Sequence, residues 1–143
     1  MKTIGIASDH AGYELKEKLR AMLLEMGYSV RDFGTNSTAS ADYADFAHQL
    51  AIALKNKQID TGIALCGTGN GMAMTLNKHQ HVRAGLAWSV QIAKLIRRHN
   101  AANICVIPAR FVDENEAKEI VKTYLTTEFE GGRHQARIDK IPL

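Results

Sequence analysis

Ile63-Ala64-Leu65-Cys66-Gly67-Thr68-Gly69-Asn70-Gly71 is the stretch on which the fold of this chain turns. An apolar run ends in a thiol. Glycines then alternate with a hydroxyl and an amide, and the Met/Ala-rich segment Met72 to Leu76 behind them has helical character. Strand, glycine turn and helix together open a βα unit. Glycines spaced this way let successive N–H groups face one concavity, which binds anions. The helix start behind the loop adds positive potential. Cys66, at the mouth of the loop, is placed to act as a base or nucleophile. The plainer alternative is a buried thiol beside a tight connection. Each glycine weakens the local fold, which tilts the choice towards function. The loop is not a Walker loop, because no Lys-Ser/Thr follows, and it lacks the dinucleotide spacing.

Outward from this stretch, apolar runs and helical patterns alternate. Ile4–Ala7 reads as a first strand ending at Ser8-Asp9-His10. A helix follows, with Leu15, Leu19, Met22, Leu23 and Met26 on one face and Gly27 as its stop. Ser29–Phe33 is a second strand, and residues 35–41 form a small polar loop. The next helix carries Tyr43, Phe46, Ala47, Leu50 and Leu54 on one stripe, with Asp42 as its N-cap. Thr61–Leu65 is strand three and Val82–Trp88 strand four. Ser89 caps a helix from Val90 to His99, and Asn103–Ile107 is strand five. Ala117, Ile120, Val121, Tyr124 and Leu125 mark another helix. Strands separated by helices imply right-handed βαβ units. The expected fold is α/β, a doubly wound three-layer sandwich on a five-stranded parallel sheet of Rossmann-like type. In such folds ligands bind at the carboxyl ends of the strands. Asp9-His10, Cys66 and Pro108-Ala109-Arg110 should therefore converge on one crevice.

With 143 residues the chain fits a single domain. Its 45% apolar and 23% charged content are those of an ordinary globule. A net charge of +3 permits an anionic small ligand without demanding nucleic acid. Aromatics are few and Lys/Arg runs absent, so no nucleic-acid partner is expected. No apolar stretch reaches membrane-spanning length, and the start Met1-Lys2-Thr3-Ile4 shows no signal-peptide pattern. Cys66 and Cys105 are too few for a disulfide framework, which suggests a reducing cytoplasm. No zinc spacing or cofactor motif is present.

Further residues carry chemistry or caps. Asp9 either caps the next helix or serves a site, and His10 is either a loop residue or a ligand contact. Arg97-Arg98-His99-Asn100 ends a helix, where its dipole favours cations, while His99 titrates near neutral pH and can move protons. Arg110 follows a strand end and could pair with an acid. Arg133 and Arg137 share one side of a helical turn, with His134 beside them. They form either a phosphate clamp or a solvated basic tail. A thiol base, an imidazole, an anion clamp and an oxyanion nest suit proton abstraction beside a carbonyl on a phosphorylated substrate.

Over essentially its whole length the chain resembles the ribose-5-phosphate isomerase type B family, whose broader group includes galactose- and allose-6-phosphate isomerases. The resemblance rests on Ser8-Asp9-His10-Ala11-Gly12, Asp32-Phe33-Gly34, Cys66 to Gly71, Asn77-Lys78, Arg83-Ala84, His99-Asn100-x-Ala102-Asn103, Ala109-Arg110 and Gly132-Arg133-His134 with Arg137. It implies a metal-independent aldose–ketose isomerase working through an enediolate in the pentose phosphate pathway, with no cofactor. Cys66 would be the base, the Gly67, Thr68, Gly69, Asn70 and Gly71 backbone the oxyanion nest, and Thr68 the hydroxyl that shifts a proton between O1 and O2. His99 with Asp9 would open the sugar ring, Asn100 would bind hydroxyls, and Tyr43 would line the pocket. His10, Arg110, Arg133 and Arg137 would hold the phosphate. The resemblance also implies one domain over 1–143 in a homodimer or tetramer, the basic tail at about 130–143 completing the neighbour's site. Ala44 for a usual Pro, His79-Gln80-His81 for Pro-Gly, and Trp88-Ser89 depart from the family pattern. Ribose 5-phosphate is favoured over allose or galactose 6-phosphate. A non-catalytic sugar-phosphate-binding module on the same fold is the rival of another class.

Overall fold

Apolar runs ending at polar or glycine residues set the strand ends in the computed structural model, which describes residues 2–143. β1 (Thr3–Ser8) leads through a 3-10 turn, His10–Gly12, into α1 (Tyr13–Glu25). β2 (Ser29–Asp32), α2 (Tyr43–Lys55), β3 (Thr61–Cys66), α3 (Asn70–Leu76), β4 (Ala84–Leu86), α4 (Val90–Arg98), β5 (Ile104–Pro108), α5 (Glu114–Thr126) and α6 (Arg133–Ile138) follow. Met1 lies outside the described residues. The sheet is parallel throughout, in the order β2-β1-β3-β5-β4, as expected.

The direction of each crossover decides which face its helix covers. Steps towards the β4 edge, β2 to β3 and β3 to β4, run through α2 and α3, which pack together. Steps towards the β2 edge, β1 to β2 and β4 to β5, run through α1 and α4, which share the opposite face with α5. A single hand of crossover requires this division. One core layer gathers Ile4, Ile6, Leu19, Leu23, Ile63, Leu65, Ile120 and Tyr124. The other gathers Ala47, Leu50, Ile59, Ala64, Met72, Leu76 and Val106. The winding reverses between β1 and β3, so their carboxyl ends flank an open crevice.

Two glycines set how closely α2 sits. A Cβ on Gly5 would lie 2.7 Å from Leu50 Cδ1, and one on Gly62 would lie 3.2 Å from Leu50 Cδ2. Leu50 therefore fills a notch that only bare backbone leaves open.

Boundaries depart from expectation where side chains intervene. β4 is shorter than Val82–Trp88. Before it, the Arg83 amide donates to Asn103 Oδ1 at 2.7 Å instead of to a strand. Beyond it, Trp88 turns outward, 54% exposed. Asp42 occupies the α2 N-cap position, but its side chain accepts no cap hydrogen bond. Ser89 does cap α4, accepting from the Ile92 amide at 3.2 Å.

Leu50→Ala removes the side chain packed beneath both glycines. It should lower unfolding free energy by about 2–5 kcal/mol with an unchanged urea slope, measured by circular dichroism.

Candidate active site

Parallel register aligns the ends of three strands. Ser8 pairs with Leu65 and Cys66 with Pro108, so Asp9, Cys66 and Pro108 stand in adjacent positions along the carboxyl edge. Asp9 Oδ1 accepts from the amides of Ala11 at 3.0 Å and Gly12 at 3.3 Å. The capping reading of Asp9 is thus correct for one oxygen. Oδ2 makes no hydrogen bond among the described residues and stays available. His10 Nδ1 lies 3.1 Å from the Ala41 amide nitrogen and 3.2 Å from the Ala41 carbonyl oxygen, contacts that hold the ring beside the end of β1.

Cys66 closes β3 with its side chain towards the α2/α3 layer, 4% exposed. Behind it the chain turns through Gly69, whose φ of +79° favours glycine. A Cβ there would strike the side chain of Leu86. The amides of Gly67, Thr68, Gly69 and Gly71 donate to no group among the described residues. Their hydrogens are thus open to a ligand, as an anion-binding nest requires. Thr68 Oγ1 accepts from the Asn70 amide at 3.3 Å, which leaves its own proton free to donate.

Two side chains wall this nest. The Tyr43 ring lies against Gly71, where a Cβ would come within 2.5 Å of it. The ring is 43% exposed at the start of α2, so it is not the buried stripe residue its spacing suggested. Arg110 extends along Gly67, its Nη1 3.3 Å from where a Cβ would stand. The Arg110 amide donates to Gly67 O at 3.0 Å, and among the described residues its guanidinium makes no ion pair. The expected acid partner is therefore missing, and the cation faces the crevice unneutralised.

The remaining site residues lie elsewhere. His99 and Asn100 sit between the end of α4 and the start of β5, which is the amino edge of the sheet. Six-residue β3 separates the two edges by roughly 17 Å. His99 therefore cannot meet Asp9 or Cys66 within one chain, and neither can Asn100, Arg133 and Arg137. The expectation that His99 works with Asp9 fails intramolecularly.

Amino-edge residues form a second group. His99, Asn100, His134, Arg137, Ile138 and Ile141 line an open hollow of about 370 Å³. Arg83 shapes it, donating to the carbonyls of Asn100 and Ala101 at 2.9–3.2 Å and so holding a turn in which Ala101 has a φ of +47°. Asn103 reinforces the turn from its other side, donating to His81 O at 2.8 Å. The His134 ring stacks on His99 with centroids 4.5 Å apart. Burial, then the nearby charges of Arg133 and His99, push His134 below the usual histidine range. Arg97 has a structural role, donating to Ala102 O and Thr127 O. The positioning residues Arg83 and Asn103 both occur within motif segments. Cys105 is buried in the opposite core layer, and burial pushes its thiol far up.

Comparison with known proteins gives a consistent result. Residues 4–141 match the Ribose/Galactose Isomerase family. Ribose-5-phosphate isomerase B of Escherichia coli is 40% identical over 141 residues, covering 99% of this chain and 95% of its own. A crystal structure of a ribose 5-phosphate isomerase from Thermotoga maritima superposes with a TM-score of 0.97 at 46% identity, covering 99% of this chain and 97% of that one. Ribose-5-phosphate isomerase B from Mycoplasma genitalium, solved with bound ribulose-5-phosphate, gives 0.92 at 45% identity, covering 97% and 93%. On fold, sequence and coverage alike, this chain belongs to the ribose/galactose isomerase family.

Proposed function

We propose that the chain interconverts ribose 5-phosphate and ribulose 5-phosphate through an enediolate, in an active site shared between two copies of the chain. The observation that carries this reading is Cys66 at the mouth of four unpaired amides, in the crevice where the sheet winding reverses. Relatives at 40–46% identity that bear this activity in their names support the choice of substrate.

Each group has a task its surroundings suit. The Cys66 thiolate takes the proton from C2 and the resulting thiol returns it at C1. The Gly67 to Gly71 amides, Asn70 contributing backbone only, hold the oxygens on which charge develops, already oriented before the substrate arrives. Thr68, its hydroxyl proton free, passes a proton between O1 and O2. The open Oδ2 of Asp9 works with His99 of a second copy to open the furanose ring. Asn100 of that copy binds hydroxyls, and Tyr43 walls the pocket. His10 and Arg110, with Arg133 and Arg137 of the second copy, hold the phosphate.

The second copy follows from distance. A pentose phosphate is shorter than the span of β3, so it cannot touch both edges of one sheet. In a symmetric pair each chain lends its carboxyl edge to one site and its amino edge to the other. On this reading residues 1–143 act as a single isomerase domain, whose tail from about 130 completes the neighbour's site. Two unpaired buried cysteines on opposite faces of the sheet fit a reducing, cytoplasmic setting. Among the described residues no helix is long and apolar enough to cross a membrane.

Cys66→Ala should lower kcat for ribose 5-phosphate by about 10²–10⁴-fold in EDTA-treated buffer, while leaving the circular dichroism spectrum intact. Turnover near wild type would remove Cys66 as the base. A second test reads the sharing of the site. Cys66→Ala and Arg137→Ala proteins, each inactive alone, should regain about a quarter of wild-type activity after subunit exchange. Half of the random dimers are then mixed, and each mixed dimer holds one intact site of two. No recovery despite proven exchange would place each site within one chain.

A further inference from the structure

The His134 ring is 6% exposed, and its Nε2 has no hydrogen-bond partner among the described residues. Its nearest counterpart, Glu130 Oε2, is 3.9 Å away, beyond hydrogen-bond reach. A buried nitrogen left this way is costly and calls for a partner. One ligand-type atom from each of His99, Glu130 and His134 lies within 4.8 Å of the others. The backbone beneath them is pinned. The His99 amide donates to Leu95 O at 2.8 Å, that of Glu130 to Arg98 O at 3.1 Å, and that of His134 to Gly131 O at 3.3 Å. Three separate segments, the end of α4, the loop before α6 and α6 itself, thus bring their donors to one point.

We propose that His99, Glu130 and His134 form a binding site for a borderline divalent transition metal, best matched by Zn²⁺, and that its occupation switches the isomerase off by engaging the His99 imidazole. Two imidazoles and one carboxylate are a donor set that Zn²⁺ accepts with a fourth position left open. Zinc bonds near ~2.1 Å draw the three donors closer than they stand here, so both rings tilt towards their common edge. His99 at a helix end and the exposed Glu130 side chain have the freedom to do this. The Arg98–Glu130 pair at 3.3 Å must yield, but it is solvent-exposed and weak. Arg133 and Arg137 flank the site, and their repulsion makes it a reversible sensor and not a permanent metal centre. The metal site stands on geometry alone. The switch rests on the reading of His99 as the ring-opening group.

Calorimetric titration of the full-length protein with Zn²⁺, with the visible spectrum of Co²⁺ as a coordination probe, tests the site. His134→Gln should abolish it. Glu130→Gln, which alters an exposed residue outside the isomerase machinery, should weaken it by roughly tenfold or more, since even outer partners of metal ligands contribute that much. Unchanged binding in both variants overturns the site. In turnover assays Zn²⁺ should inhibit wild type, and Glu130→Gln should need roughly tenfold more metal for the same inhibition while retaining metal-free activity. Equal inhibition of both proteins overturns the switch. Glu130-dependent binding by a wild type that turns over no sugar phosphate would uphold the site while removing the isomerase reading.

Discussion

Parallel pairing of β1, β3 and β5 in one register is the constraint on which the rest of the molecule depends. It places Asp9, Cys66 and Pro108 side by side at one edge. Register in a sheet buried on both faces is strongly specified, because a one-residue slip would exchange the two faces of every strand. Here that slip would swap Ile4 and Ile6 against Gly5 and Ala7, and Leu50 would lose its notch. The position of the thiol is therefore fixed by core packing, some distance from the crevice it serves.

The crevice itself depends on what is left unbonded. Reversal of winding between β1 and β3 carries α1 and α3 to opposite faces. Gly69 in its left-handed conformation then turns the chain within a segment whose four amides find no partner among the described residues. Lys16 secures the far wall. Fully buried, it reaches Asp32 at 2.7 Å, while Asp32 Oδ1 accepts from the Gly34 amide at 2.8 Å. Gly34 O in turn accepts from the Ser8 amide at 2.7 Å, immediately before Asp9. A chain of bonds thus runs from α1 through the end of β2 to the end of β1. Its members are individually modest, and their value lies in tying two strand ends together.

The strand–glycine–helix unit at Cys66 was legible in the sequence because each of its signals has a local cause. The apolar run needs a core, the alternating glycines need an unobstructed turn, and the Met/Ala segment favours helix. The ends of β4 were not legible, since the Arg83 amide is claimed by the side chain of Asn103, far along the sequence. Nor could spacing show that the Tyr43 ring lies against Gly71, or that Arg83 clasps the Asn100–Ala101 turn. The placement of His99 is the instructive case. A helix-to-strand turn in a parallel sheet necessarily lies at the amino edge, so chain order alone separates His99 from Cys66. Read as one constellation of reactive residues, the same letters conceal that separation. Residue type reports chemistry, whereas topology decides which residues can meet.

The two edges are also prepared in opposite ways. At the carboxyl edge the donors are backbone amides, fixed by the fold and carrying no net charge. At the amino edge they are long side chains, Arg133 and Arg137, exposed on a six-residue helix that is too short to be stable alone. α6 keeps its place through the buried Ile138 and through His134 stacked on His99. Ordering long arginines costs side-chain entropy, which is best met where another surface confines them. Under the shared-site reading that surface is the rigid nest of a second copy. The arginines then settle against the one part of the molecule whose geometry is already set. On that reading neither edge is competent by itself, and activity is coupled to assembly through the chain's own topology.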